Sequence, residues 1–450
     1  MLFWDKSSTF AVKMDKISFI RNSSVRNFAK LFSANVVAQV IGLVVYPILT
    51  RMYAPEDFGL MNLFLSISGI VVIVSTAEYY NAIVLPKKES EGVWVAYLCT
   101  CILLLVVGVT SISVFFADEI AQAFNTPALA KYYWLLPISI LINGGWNILN
   151  YWHIRHTQYS SISKYQLSQS TFSAVAKIGF GHAGMVQGGL IYSMVIAPLL
   201  SLVIRIVALY RSGIKSQLLR PAWREISAMA QRYKKFPLFS LPRSFVNMVA
   251  GQLPVLLLTP LFGAEYIGWW SMALLLGFTP INMITRSIYQ VLYQHTTVRV
   301  HEHQPIGGYF RRFTLWVVVV GIPLFGVLYW LLPELTLWFL GEGWEMTSVY
   351  LRWMLPWLLC SILTASTGFL ADIFFKQQIG FAFEILTAIL RTAAVVIGIW
   401  REDFTLAIIC YAIGTAISIL AQYIWLFSLI KRYDAEVICA SHEPVGDSEI

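Results

Sequence analysis

Charged residues are scarce in this sequence of 450 residues. Asp, Glu, Lys and Arg together make up 12% of it, about half of their share in an ordinary soluble domain, while hydrophobic residues make up 58%. Most of the chain is therefore predicted to face lipid, which excludes a soluble enzyme. The alternation of apolar and polar residues that a membrane β-barrel requires is also missing from runs such as VAYLCTCILLLVVGVTSISVFF.

Cysteines are few, and their spacing is not that of a metal site. The five are Cys99, Cys101, Cys360, Cys410 and Cys439. Most lie inside apolar runs, where a thiol behaves as a small hydrophobic group, so we expect neither a disulfide framework nor a metal site. A Walker A loop is missing too, so direct use of ATP is not expected, and the sequence indicates no cofactor.

Long apolar runs dominate what is present. A hydrocarbon layer about 30 Å thick is crossed by about 20 helical residues, and about twelve runs reach that length. They are predicted at 28–52, 58–85, 91–116, 128–153, 160–181, 186–210, 238–262, 266–294, 312–332, 346–375, 379–400 and 404–430. The sequence therefore predicts an all-α, polytopic membrane protein. Five regions follow: an N-terminal segment, a six-helix half, a linker, a second six-helix half and a tail, at 1–27, 28–210, 211–237, 238–430 and 431–450.

The net charge of +8 follows this topology. Cations gather in alternate loops, at Lys87, Lys88, Arg155, Lys164, Arg211 to Lys235, Arg299, Arg311, Arg312, Lys376, Lys431 and Arg432. The other loops hold acids, with few cations beyond Arg51 and Arg401. Because cytoplasmic loops carry the excess of Lys and Arg, both termini are predicted to be cytoplasmic. The basic balance thus indicates orientation in an inner membrane and no nucleic-acid partner.

The chain also repeats itself. A shift of 209 residues places Gly42 on Gly251, Leu49 on Leu258, Thr50 on Thr259, Glu56 on Glu265 and Gly59 on Gly268. Such a repeat predicts two homologous six-helix halves in the same orientation, an architecture that transporters use to hold a substrate between them. The linker between the halves has an apolar face of Trp223, Ile226, Ala230 and Tyr233, which predicts a helix lying on the anionic inner leaflet.

Several stretches resemble a known family. They are YPILTRMYAPEDFGLMNLFLSI from Tyr46 to Ile67, NAIVLPK, LNYWHIR, FPLFSLP, QLPVLLL and YQVLYQ. With them the chain resembles the Wzx-type oligosaccharide flippases of the multidrug/oligosaccharidyl-lipid/polysaccharide (MOP) exporter superfamily, over about residues 20 to 430. The resemblance implies a MATE-like fold and movement of a polyprenyl-pyrophosphate-linked repeat unit to the periplasmic leaflet, for O-antigen, capsule or exopolysaccharide. Coupling to H+ or Na+ through Glu78, Asp372 or Glu384, with an ion-pair role as the equal alternative, and contact with other polysaccharide-assembly proteins are further expectations.

One departure limits what the resemblance transfers. Many relatives have Arg-Tyr-Glu before the Ala-Ile-x-Leu-Pro stretch, whereas this chain has Glu78, Tyr79 and Tyr80. A role assigned to that Arg or Glu therefore cannot be carried over.

Charges inside the predicted spans are the candidate site residues, because a charge facing lipid near the helix centre costs about 3 kcal/mol. Those that we retain as substrate-binding candidates are Arg391, Arg286, Glu78, Glu384, Asp372 and Arg243. Arg391 is the deepest and is predicted to face an aqueous cavity and to contact the pyrophosphate or an acidic sugar, since Arg binds phosphate with two N–H groups.

Structural alternatives stay open for several of these residues. Arg391 shares a helix face with Glu384, and Asp372 precedes Lys376 by four residues, so either acid can belong to an ion pair. Arg243, like Lys177 and Arg205, lies near a span end, where a long side chain reaches the headgroups.

Two other functions compete with the flippase. A cation-coupled drug exporter of the same superfamily would favour acids in its cavity, and the excess of cations within the predicted spans speaks against it. A membrane-embedded glycan polymerase or ligase would need a sizeable outer loop, and the outer loops here are short. The sequence therefore favours a transporter that is not an enzyme.

Overall fold

The structure is a computed structural model that describes residues 37, 39–211, 222–365, 367–374 and 376–442. The long helices of this part of the chain are numbered α1 to α14 in chain order. They are Gln39–Leu49, Pro55–Val74, Glu89–Ser113, Leu135–Arg155, Tyr159–His182, Val186–Arg211, Trp223–Arg232, Leu241–Phe262, Ala264–His301, Gly307–Trp316, Ile322–Leu340, Glu345–Ala365, Gln377–Arg401 and Phe404–His442.

Shorter helical segments join or extend these helices. The 3₁₀ turns are Tyr79–Val84, Val114–Phe116 and Pro127–Leu129; the π turns are Phe236–Ser240 and Val317–Gly321; the short α-helices are Ala117–Ala123, Ala130–Tyr133 and Leu370–Ile373. The second π turn links α10 to α11 without a break, so that Gly307–Leu340 forms one long apolar segment.

The prediction of an all-α polytopic membrane protein is confirmed. Nine helical segments in the described part of the chain are long and apolar enough to cross a membrane. The helices α4 and α5 match the predicted spans at 128–153 and 160–181 but are not among those nine. The first predicted span begins outside the described residues, and its described part is the short apolar helix α1.

Two predicted spans are broken where the sequence suggested continuous helices. The span predicted at 58–85 stops at Val74, and the span predicted at 346–375 stops at Ala365 and resumes at Leu370–Ile373. Hydroxyl side chains stand at both breaks: the Ser75 Oγ donates to the Val72 carbonyl at 2.6 Å, and the Thr367 Oγ1 donates to the Leu363 carbonyl at 3.3 Å. Such bonds compete with the helical ladder, so hydropathy alone did not reveal the breaks.

The described residues form two compact units, each with its own packing. The first comprises residues up to Tyr53, then 64–123 and 127–249, and the second comprises 54–63, 124–126 and residues from Ala250 onward. The helix α2 therefore contributes its first turns to the second unit and its last turns to the first.

In the first unit, the linker helix α7 packs against protein. Ile226 and Met229 are buried in a cluster with Tyr79 and residues of α3. The Tyr79 hydroxyl donates to the Ala230 carbonyl at 3.0 Å. We expected the apolar face of this helix to lie on lipid, but its central residues are covered by the unit itself, and Trp223 remains 72% exposed.

Arg155, at the end of α4, binds the segment that joins the Tyr79–Val84 turn to α3. Its guanidinium donates to the Ile83 carbonyl at 2.8 Å and to the Lys88 carbonyl at 3.0 Å. It also pairs with Glu89, at 3.3 Å. A Cβ added to Gly92 would come within 2.8 Å of the Arg155 Cζ, so glycine at that position leaves room for the Arg155 guanidinium.

In the second unit, the first turns of α2 and α9 pack on each other reciprocally. A Cβ added to Gly59 would overlap the backbone carbonyl of Ala264, and one added to Gly268 would overlap that of Pro55. Ala264 is the residue that the shift of 209 places on Pro55, just as it places Gly268 on Gly59. The two copies of the repeated segment therefore make the same close contact with each other.

A polar contact accompanies this crossing. The Asn62 Nδ2 donates to the Ser271 Oγ at 2.8 Å. These two residues are also 209 positions apart, so the bond joins equivalent positions of the two copies. A contact between equivalent positions is what a local two-fold relation between two helices produces.

Candidate functional site

Arg391 lies near the middle of α13, where side chains of α12 and α14 surround it. The Arg391 Nε donates to the Thr415 Oγ1 at 3.1 Å. Its Cζ lies 5.3 Å from the centre of the Trp357 ring and 5.1 Å from the centre of the Tyr411 ring. Cation–π contacts of this kind are worth about 0.5–2 kcal/mol each. The two rings and the hydroxyl, which we call the Arg391 cage, hold the guanidinium without neutralising it.

Most of the hydrogen-bonding capacity of Arg391 is unused. A guanidinium carries five N–H donors, and one of them meets Thr415. Within the described residues, the other four have no protein acceptor. The cage thus orients a permanent positive charge and leaves N–H groups for a ligand such as a phosphate.

The alternative in which Arg391 pairs with Glu384 is not what the structure shows. Among the described residues the ion pairs join Arg155 and His156 to Glu89, and Arg232 to Glu91. Glu384 is exposed on α13. Asp372 and Lys376 likewise form no ion pair in the described part of the chain, and both are exposed.

A polar cavity of about 370 Å³ lies beside the cage in the same unit. Three helices, α9, α12 and α14, provide its lining, which consists of Phe278, Ile281, Asn282, Thr285, Ser361, Thr364, Ala365, Ile419 and Gln422. The cavity and the cage share a wall, because the Phe278 ring packs 4.6 Å from the Trp357 ring that faces Arg391. Amide and hydroxyl groups around an aromatic wall suit a ligand rich in hydroxyl groups.

The remaining candidates are spread over both units. Arg286 follows the cavity residue Thr285 on α9 and is exposed. Asp372 lies in the short segment after the break in α12. Arg243, near the start of α8, is exposed and belongs to the first unit, as does Glu78. The structure therefore places the Arg391 cage beside one cavity, but neither Arg286 nor Arg391 is among the residues that line it, and the other candidates lie elsewhere.

Glu78 lies in a tight turn that is stabilised by hydrogen bonds to its own carboxylate. Ala77 and Glu78 have φ values of 47° and 62°, a left-handed conformation that is uncommon for residues with a Cβ. The residue Glu78 is 5% exposed. It accepts hydrogen bonds from the Asn81 Nδ2 at 2.5 Å and from the Tyr80 hydroxyl at 3.3 Å. Glu78 is thus satisfied by its immediate neighbours.

The cage residues themselves were missed by sequence reasoning. Trp357, Tyr411 and Thr415 lie on other helices than Arg391, and in a chain with 16 tryptophans and 22 tyrosines no local pattern marks them. The one available signal was the depth of Arg391, because a cation that cannot reach either interface must find partners across helices.

Comparison with known proteins relates the chain to proteins of polysaccharide biosynthesis. Residues 48–349 match the family of polysaccharide biosynthesis proteins. The succinoglycan biosynthesis transport protein ExoT of Rhizobium meliloti (strain 1021) is 20% identical over 400 residues, which cover 85% of this chain and 76% of that protein.

Two solved structures have a similar fold. The lipid II flippase MurJ in an inward closed conformation superimposes with a TM-score of 0.67 at 13% identity, covering 91% of each chain. An inward-facing multidrug resistance transporter of the MATE family, from the MOP superfamily, gives a TM-score of 0.58 at 11% identity, covering 90% of this chain and 95% of that one. At these identities the likeness shows the fold alone.

Proposed function

Since the chain belongs to the polysaccharide biosynthesis protein family, we propose that it moves polyprenyl-pyrophosphate-linked oligosaccharide repeat units across the inner membrane, from the cytoplasmic to the periplasmic leaflet. The units would serve the synthesis of O-antigen, capsule or exopolysaccharide. Movement would occur by alternating access, and the chain would perform no covalent step, so that it is a transporter and not an enzyme.

The observation that carries this proposal is the Arg391 cage. A pyrophosphate must cross the hydrocarbon core of the bilayer, where a charge is energetically unfavourable. A guanidinium keeps its proton when it is desolvated, so it can pair with the phosphate there. Trp357 and Tyr411 hold the charge in place, while the unpaired N–H groups of Arg391 can bind two phosphate oxygens at once. The neighbouring cavity, with Asn282 and Gln422 in its lining, suits sugar hydroxyl groups.

The same geometry speaks against a drug exporter of the same superfamily. A site for cationic drugs needs a carboxylate that is free to pair with them. Glu78 is the buried acid among the candidates, and Asn81 and Tyr80 already bond its carboxylate. A role for Glu78, Asp372 or Glu384 in coupling to H+ or Na+ stays a prediction.

Export of the glycan by cells that carry Arg391→Ala, Arg391→Lys, Glu384→Ala or the double alanine variant tests the proposal. At matched membrane levels, Arg391→Ala should lower export about 10- to 100-fold, the effect of losing charge-assisted hydrogen bonds to the cargo. Arg391→Lys should restore part of it, because a point charge lacks the fork of the guanidinium.

A matched control is available in Arg352. Its Cζ also stacks on a ring, 5.1 Å from the centre of Tyr329, and its Nε donates to the Tyr329 carbonyl at 2.9 Å. Arg352→Ala should therefore lose a similar stacking contact and keep export. Normal export by Arg391→Ala, or full recovery in the double variant with Glu384→Ala, would show that Arg391 is part of the scaffold.

A further inference from the structure

An apolar groove runs along the first unit between α3, α4 and α6. It has a volume of about 520 Å³ and is lined by Val93, Ala96, Tyr97, Thr100, Leu103, Leu141, Ile142, Gly145, Ile148, Leu149, Trp152, Leu199, Leu202, Val203, Ile206 and Leu209. Leu199 and Ile206 are 40% and 51% exposed, so the groove is open along its side. In a membrane protein such an opening faces lipid.

The length of the groove matches one leaflet. Its lining extends from Leu141 to Trp152 on α4 and from Leu199 to Leu209 on α6. At 1.5 Å per residue these stretches are about 15 Å long, which is half of a hydrocarbon core about 30 Å thick. The end at Trp152 and Leu209 lies within one turn of the C-termini of both helices, and the end at Leu141 and Leu199 lies well inside them. The groove therefore accommodates a chain that enters from one surface and stops at the middle.

The surface end of the groove is cationic. Arg205 lies on α6 between the lining residues Leu202 and Leu209, and its buried Nε has no acceptor within the described residues. His153, which follows the lining residue Trp152, is not a second donor, because its Nδ1 donates to the Gln158 Oε1 at 2.8 Å and so carries the proton of the neutral ring. A buried N–H group without an acceptor is rare in folded proteins, so the Arg205 Nε indicates a missing acceptor.

Nearby carboxylates do not supply that ligand. Glu89 pairs with Arg155 at 3.3 Å and with His156 at 3.0 Å. Glu91 pairs with Arg232 at 2.9 Å. The positive charge of Arg205 is thus left for an anion from outside the chain.

We propose that this groove and its cationic end form a binding site for an anionic glycerophospholipid of the leaflet on the side of Arg205. One acyl chain lies in the groove, and the headgroup phosphate accepts hydrogen bonds from Arg205. Because Arg205 is positively charged, the site favours an anionic headgroup. Because the groove is as long as one leaflet is thick, it accommodates an acyl chain. This site is independent of the cargo site proposed at Arg391, which lies in the other unit.

Native mass spectrometry of the full chain in detergent, titrated with phosphatidylglycerol or phosphatidylcholine, tests the site. The wild-type chain should bind phosphatidylglycerol about tenfold more tightly, the contribution of a hydrogen bond between charged groups. Arg205→Ala should abolish that preference. Arg311→Ala, which removes an exposed cation on α10, should keep it.

A second variant fills the groove without touching the cation. A Cβ added to Gly145 would lie 3.6 Å from its nearest neighbour, so Gly145→Leu should fold and should place its side chain in the groove. It should weaken binding of both lipids while keeping their ratio.

Three results would overturn the site: equal binding of the two lipids to the wild-type chain, an unchanged preference in Arg205→Ala, or unchanged binding in Gly145→Leu. Displacement of phosphatidylglycerol by a polyprenyl phosphate at equal concentration would assign the groove to the cargo chain and would also contradict the proposal. Thermal unfolding of each variant, measured alongside, identifies a variant that has failed to fold.

Discussion

The helices α2 and α9 are copies of one repeated segment, and they agree at one end and differ at the other. Their first turns make the reciprocal contact of Gly59 and Gly268. Further along, the shift of 209 places Arg286 on Ala77. At that point α2 has already ended in a left-handed turn that buries Glu78, whereas α9 continues as a helix to His301 and carries an exposed Arg286.

This difference shows which parts of a repeat can diverge. Where two copies touch each other, a change in one must fit the other, because close backbone packing leaves no room for a side chain. Where each copy meets different neighbours, the backbone and the charge can change separately. Two of the candidate charges, Glu78 and Arg286, lie in the second kind of region.

The largest expected effect concerns the direction in which the two repeated halves cross the membrane. This direction should be the same for both, because an even number of spans, six, separates equivalent positions. In a chain whose native cysteines are replaced by alanine, cysteines at Glu119 and Glu342 should react with an impermeant maleimide added to intact cells. A cysteine at Lys234 should react only after the cells are opened, because cytoplasmic loops carry the excess of cations. Reversed labelling would overturn the proposed orientation, and labelling at only one of the two outer sites would show that the copies insert differently.

The reciprocal contact predicts the next largest effect. Gly59→Ala and Gly268→Ala should each destabilise the protein by about 1–3 kcal/mol, since a new Cβ would meet a backbone carbonyl that cannot move aside. Thermal unfolding in detergent measures this. Gly42→Ala and Gly251→Ala are a matched control pair, because the same shift relates them and a Cβ at either position meets open space. Equal behaviour of all four variants would show that the close contact does not limit stability.

Where the two copies differ, at Glu78 and Arg286, we expect a smaller loss of stability that is not the same in the two copies. Glu78→Ala should cost about 1–2 kcal/mol, because it leaves Asn81 and Tyr80 without the acceptor they share. Arg286→Ala should change stability by less than about 0.5 kcal/mol, as expected for an exposed side chain. The same unfolding assay distinguishes them. A larger loss for Arg286→Ala than for Glu78→Ala would mean that the second copy, and not the first, depends on its charge.

The sequence alone predicted the class of fold and the deepest charge. Apolar runs, their length and the position of Arg391 within one of them are local properties, and the bilayer converts length directly into a spanning helix. The repeat was visible for the same reason, since Gly59 and Gly268 occupy the same place in two similar segments.

Only the tertiary structure decided what surrounds each charge. Arg391 could have paired with Glu384 two turns away on its own helix, but it is held by Thr415, Trp357 and Tyr411 from neighbouring helices. The turn at Glu78 is likewise closed by the bonds that its own carboxylate accepts from Asn81 and Tyr80. Hydropathy records how much a residue avoids water, and it carries no information on which polar or aromatic partner a buried charge will find across a helix interface.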